Sequence, residues 1–110
     1  IDLADLERVL KGMAGCPRVV CAGSGATPLA LLDVADQCLE TWRLACVNAP
    51  VGVPTRKGVT HETVFIGPGT RHAESLEYVP CRLSLAPQLY ENRFAPDILL
   101  LHTAQLVTAG

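Results

Sequence analysis

A chain of 110 residues, 49% apolar and 18% charged, has the size and composition of one globular domain or part of one, not of a disordered segment. Its formal net charge of −2, with no cluster of Lys or Arg, excludes an electrostatic footprint for nucleic acid. No apolar run reaches the roughly 18 residues of a membrane span, and no charged-then-apolar leader is visible, so neither a membrane partner nor an exported protein is expected and the expected compartment is the cytoplasm.

Leu3, Leu6, Val9, Leu10 and Met13 recur at helical spacing, which predicts an amphipathic helix from Asp2 to about Lys11, stopped at Gly12. Val19, Val20, Cys21 and Ala22 form a short apolar run, the body of a first strand over Arg18–Ala22. Gly23 and Gly25 then permit a tight turn and a close approach of a ligand to the backbone. Thr27 is a good N-cap and Pro28 suits a first helical position, so a helix is expected from Pro28 to about Glu40. Its free N–H groups and positive dipole end would favour an anion or developing negative charge. Leu31, Leu32, Ala35, Cys38, Leu39 and Trp42 fall on one side of it.

A second strand, Leu44–Val47, closes at Asn48. The stretch from Asn48 to His61 is rich in Pro and Gly and reads as a long surface loop, a type that is often functional or mobile. Thr63–Ile66 predicts a third strand, broken by Gly67, Pro68 and Gly69. A helical turn over Thr70–Leu76, a brief strand at Tyr78 and Val79, and a helix on the second face over Leu83–Glu91 follow. Asp97–Leu101 is an apolar strand of the kind buried on both sides. Strands alternating with helices predict one α/β domain with a mainly parallel sheet and right-handed crossovers. Ligands of such sheets bind beyond the carboxyl ends of the strands. Those ends carry the Gly23–Pro28 turn, Asn48, the Gly67–Gly69 turn and His102.

Most familiar chemistries fail on these residues. A dinucleotide fingerprint would need a third glycine where Pro28 stands and an acidic residue where Asn48 stands. Ser24 sits on a strand-to-helix turn, but Ala22-Gly23-Ser24-Gly25-Ala26 is not the GxSxG of a nucleophile elbow, so Ser24 reads as a hydroxyl or backbone donor of the turn. His61, His72 and His102 match no zinc spacing and read as loop or surface histidines, with no metal expected. Glu74, Glu77 and Glu91 read as solvated. The five cysteines (Cys16, Cys21, Cys38, Cys46 and Cys81) lack CxxC spacing and read as buried, reduced thiols. Gly67-Pro68-Gly69 followed by Thr70 and Arg71 would expose N–H groups beside a cation, an anion or oxyanion lining if it is more than an ordinary tight turn.

Three segments, "GSGATPLALLDVA" from Gly23, "VTHETVFIGPGTRHAESLEYVPCRLSLAPQLYE" from Val59 and "APDILLLHTA" from Ala95, together resemble the N-terminal part of the acetyl-CoA hydrolase/transferase family, which includes the 4-hydroxybutyrate and acetate CoA-transferases. The resemblance implies a Rossmann-like α/β domain of the CoA-transferase type. It makes residues 1–110 the N-terminal portion of a longer two-domain, dimeric enzyme. In that family a glutamate carboxylate attacks an acyl-CoA thioester. An acyl-glutamyl anhydride and then a glutamyl-CoA thioester form, and CoA passes to a carboxylate or to water. The glutamate belongs to the second domain, so no residue here takes the catalytic role and the chain alone is expected to be inactive. Coenzyme A thioester and carboxylate enter as substrates, with no tightly bound cofactor. Gly23, Ser24, Gly25, Ala26 and Thr27, with Gly67, Pro68 and Gly69, are carried over as loops of the shared cleft. The competing expectation is a non-catalytic binding or protein-interaction module on the same fold.

Overall fold

The computed structural model describes residues 3–79, 88, 91 and 95–100 of the chain. Its elements run α1 (Leu3–Lys11), β1 (Arg18–Cys21), α2 (Leu29–Cys38), β2 (Trp42–Ala45), β3 (Val59–Thr63), β4 (Ser75–Tyr78) and β5 (Ile98–Leu100), with 3-10 turns at Ser24–Ala26 and Thr70–His72. The strands form one five-stranded parallel sheet in the order β4-β3-β2-β1-β5, so the fold is α/β, as the alternation of elements predicts. No helix among the described residues is long and apolar enough to cross a membrane.

Side chains alternate between the two faces of each strand, and the register sorts them. Val19 pairs with Leu44, and Trp42 pairs with Val59. These residues share the face that meets Leu6 and Leu10 of α1 and Leu32 and Ala35 of α2 in one buried core. Trp42 is fully buried there, and its indole N–H donates to Asp36 Oδ1 at 3.1 Å. Burying such a ring is worth on the order of 4 kcal/mol. The helical spacing that placed Trp42 on the helix runs past the true end of α2. Leu39 is already extended, and Trp42 opens β2 beneath the helix instead.

Charge is concentrated on the opposite face. Arg18 of β1 grips Glu62 of β3 with two hydrogen bonds, Nε to Oε1 at 2.8 Å and Nη2 to Oε2 at 3.1 Å. Arg43 of β2 lies between them, 3.8 Å from Glu62 and 3.4 Å from Glu77 of β4. The Glu62 side chain is 1% exposed, so its charge is stabilised by these arginines and not by water. The hydrogen bond that Arg18 donates to Glu62 raises the Arg18 pKa further above its already high value. Arg18 also ties down the approach to β5: its N–H donates to Asp97 Oδ2 at 2.7 Å and its Nη1 to Ala95 O at 3.2 Å.

Several predicted boundaries move. Strand β2 begins two residues before the expected Leu44, and β3 begins four residues before the expected Thr63. His61 and Glu62 therefore lie inside β3 and are buried, not in a surface loop. Polar residues masked this strand because both are neutralised locally, Glu62 by Arg18 and His61 by a 2.7 Å hydrogen bond from Nε2 to Pro54 O. The turn at Thr70 ends at His72, and Leu76 belongs to β4. Glu77 is likewise a strand residue paired to Arg43. Among the described residues β5 lies at a sheet edge with Leu99 55% exposed, so it is not the doubly buried strand expected. Cys16 is exposed, whereas Cys21 and Cys46 are buried. The helix expected over Leu83–Glu91 falls, apart from residues 88 and 91, outside the described residues, as do Cys81 and His102.

The long connection from β2 to β3 is pinned at two points. Arg56 reaches back to the end of α2, donating to Asp36 Oδ1, Glu40 O and Leu39 O, each at 2.7 Å. A guanidinium here satisfies carbonyls that the last helical turn leaves open and complements the negative end of the dipole. The second point is the His61–Pro54 hydrogen bond.

Candidate functional site

From β1 to β4 each strand is added on the same side of its predecessor, but β5 lies on the other side of β1. The strand order therefore reverses at β1, and the crevice beyond its carboxyl end is where an open parallel sheet offers a site. The residues following β1, β2 and β3 are joined there. Ser24 N donates to Asn48 O at 3.0 Å, and Asn48 Nδ2 to Ser24 Oγ at 2.6 Å. Asn48 N donates to Phe65 O at 3.0 Å, and Gly69 N to Ala49 O at 2.8 Å.

Ser24 and Asn48 both have a left-handed backbone, each at φ 53°, whereas Gly23, Gly25, Gly67 and Gly69 do not. Such values are uncommon for residues with side chains, and serine pays more for them than asparagine does. The mutual hydrogen bonds hold both in place. Gly23 instead has an ordinary φ of −96°. It must be glycine because a Cβ there would lie 1.6 Å from Val47 O. A Cβ on Gly67 would meet the backbone of Asn48 and Ala49 at 2.5 Å, and one on Gly69 would meet Pro50 O at 1.9 Å. Three of the four expected loop glycines thus make room for neighbouring loops. Only Gly25 faces open space, with nothing within 4 Å of its would-be Cβ.

Beside Gly25 is a cleft of about 460 Å³ lined by Gly25, Thr27, Pro28, Leu29, Ala30 and Leu31. That is within the roughly 300–1,000 Å³ of small-molecule sites. Of the eight residues expected to line a cleft, Gly25 and Thr27 do so. Gly23, Ser24 and Ala26 shape the turn behind them, whereas Gly67 and Gly69 are packed under the β2 loop and Pro68 is exposed. The donor of Gly69 is already taken by Ala49 O, which weakens the second turn as an anion lining.

The helix starts one residue later than expected. Pro28 occupies the cap position with no side-chain cap, and Thr27 Oγ1 donates backward to Ala22 O at 2.9 Å. Thr27 is thus a clasp that closes the turn onto the end of β1. The Leu29 N–H goes to Thr27 O at 2.9 Å. Helical geometry leaves the N–H groups of Ala30 and Leu31 without an intrahelical acceptor. The cleft therefore combines apolar walls, the Thr27 side chain and two backbone donors at a positive dipole end. It suits a small apolar group bearing a carbonyl or other hydrogen-bond acceptor. Among the described residues, no carboxylate, imidazole or thiol lines it.

His61 lies on the core face of β3 and has a structural role. Burial lowers its pKa, against a smaller opposing effect of the Pro54 hydrogen bond, so the ring is neutral in the fold. With the folded pKa below the unfolded one, the unfolded chain binds the extra proton. Stability is then complete above the ordinary value near 6.5 and falls as pH drops below it. In paired urea titrations, the stability lost between pH 7 and pH 5 is expected to be smaller in His61→Gln than in the natural chain. Equal losses would remove His61 as the cause. His72 is exposed in its turn. Among the described residues, no group of three His, Cys, Asp or Glu side chains could hold a metal ion.

The sequence places Asn48 at this edge of the sheet, but not among the expected cleft residues. The available signal was its type, since asparagine tolerates a left-handed backbone better than most residues. Compared with protein-family models, curated proteins and solved structures, the chain matches none.

Proposed function

We propose that this chain is the N-terminal α/β domain of a cytoplasmic, dimeric CoA-transferase or acyl-CoA hydrolase and contributes one wall of its thioester cleft. The observation that carries the reading is the cleft beside Gly25, where the resembling segment "GSGATPLALLDVA" supplies each described residue of the lining. Apolar walls accommodate a short acyl chain. The N–H groups of Ala30 and Leu31 can donate to the thioester carbonyl and to the oxyanion that develops on it. The resemblance puts the attacking carboxylate in a second domain, and Glu62 is held on the other face by Arg18. The chain's part is then binding and polarisation, not bond breaking.

Acetyl-CoA titrated into the ¹⁵N-labelled chain is expected to move the amide signals of Gly25, Ala30 and Leu31, with no turnover by the chain alone. Gly25→Leu, placed where there is room for it, is expected to abolish those shifts and leave the fold intact. Shifts confined to other residues, or turnover by the isolated chain, would refute the assignment.

A partner-binding module draws support from Leu29, Val51 and Phe65, exposed large apolar residues near the same sheet edge, with Val51 at 66%. Loss of partner binding in Val51→Asp, with acetyl-CoA leaving every amide unmoved, would favour that reading.

A further inference from the structure

Two buried thiols lie directly beneath the turn and have no place in the proposed function. Cys21 ends β1, and Cys46 follows β2. The register pairs Val19 with Leu44 and Val20 with Ala45, so one step further brings Cys21 beside Cys46. Both belong to the core cluster on the helix-covered face, at 6% and 2% exposure. Adjacent strands lie about 4.8 Å apart, inside the roughly 4.4–6.8 Å between Cα atoms that a disulfide spans.

Their surroundings are polar enough for chemistry. Cys46 Sγ donates to Ala22 O at 3.5 Å, the carbonyl that also accepts from Thr27 Oγ1. Thr27 lines the cleft, so the carbonyl that accepts from Cys46 Sγ is tied through one side chain to the cleft wall. The neighbouring Cys21 thiol pulls the Cys46 pKa down, against an opposing effect of burial. The same contact, with burial, pushes Cys21 up. Cys46 is therefore the better nucleophile of the two.

We propose that Cys21 and Cys46 form a reversible cross-strand disulfide, a redox modification site that locks the floor of the cleft. The oxidant is a small-molecule disulfide, RSSR. The Cys46 thiolate attacks one of its sulfurs, forming a mixed disulfide and releasing RS⁻, which takes up a proton. Cys21, deprotonated, then attacks the Cys46 sulfur and expels the second RS⁻, which is protonated in turn. The dithiol loses two electrons and two protons, and RSSR becomes two RSH. Oxidation removes the Cys46 proton from Ala22 O and leaves Thr27 as that carbonyl's side-chain donor. It also fixes the spacing of the β1 and β2 ends from which the turn springs.

The test uses the full chain with Cys16, Cys38 and Cys81 changed to serine, equilibrated over a range of reduced and oxidised glutathione, acid-quenched and weighed. One monomeric species lighter by the mass of two hydrogens is expected. It should form at a glutathione ratio more reducing, by about tenfold, than the same chain requires in denaturant, because the fold holds the thiols together. Glutathione adducts or linked dimers as the main products would overturn the proposal. So would a native chain no easier to oxidise than the denatured one. If the triple variant does not fold, Cys38→Ser alone gives the same reading. Trypsin should then release peptides 19–43 and 44–56 joined by the bond, and their separate recovery after full oxidation counts against it.

Discussion

Gly23→Ala is expected to destabilise the fold by about 3 kcal/mol or more, a large share of the roughly 5–15 kcal/mol available to a domain. The cause is not backbone freedom, since φ at Gly23 is −96° and open to any residue. It is the Val47 carbonyl, 1.6 Å from the position a Cβ would take. A main-chain oxygen cannot swing aside like a lysine tip. The β2 loop must move as a body, and the Ser24–Asn48 hydrogen bond at 3.0 Å moves with it. Gly25→Ala, two residues on, meets nothing within 4 Å and should change stability by less than about 0.5 kcal/mol. Denaturant melts of the two variants side by side check this. Equal midpoints would mean that the loops are not packed as described.

Arg18→Ala should rank beside it, at about 3–5 kcal/mol, the usual cost of stripping one partner from a buried ion pair. Glu62 would keep its burial and lose both hydrogen bonds, with Arg43 at 3.8 Å the nearer remaining cation. Replacing both partners with apolar residues of similar size, Arg18→Met with Glu62→Leu, should cost markedly less than Arg18→Ala alone, because no charge is then stranded. The comparison separates what the pair adds from what a broken pair costs. A double variant weaker than the single one would show that the charges themselves hold the sheet together.

These two sites mark what was legible in the sequence. The strand–turn–helix at Arg18–Cys38 could be read because its apolar runs are short, local and bounded by glycine and proline. Strand β3 could not be placed correctly, because His61 and Glu62 look like loop residues until their partners are known. Those partners, Arg18 and Pro54, are set by register and loop path and not by local pattern. The glycines could be picked out, but their purpose could not. Local reasoning assigns them to turn geometry or ligand approach, whereas at Gly23, Gly67 and Gly69 the neighbour is another segment's backbone. Gly25 alone keeps the open face that the sequence suggested for both glycines of its turn.

The pairing of β1 with β5 has a consequence for how the chain comes together. Arg18 and Asp97, whose hydrogen bond brackets that pairing, are 79 residues apart. At about 5–20 residues per second of synthesis, several seconds separate their appearance. During that interval β1, β2 and β3 can pair in sequence through shorter connections, while the far edge of β1 stays open. Closing the longest loop last makes β5 the slow step of assembly and the strand whose release costs the least surface. Amide protons of Ile98–Leu100 should accordingly exchange ahead of those in β2, the strand at the centre of the sheet.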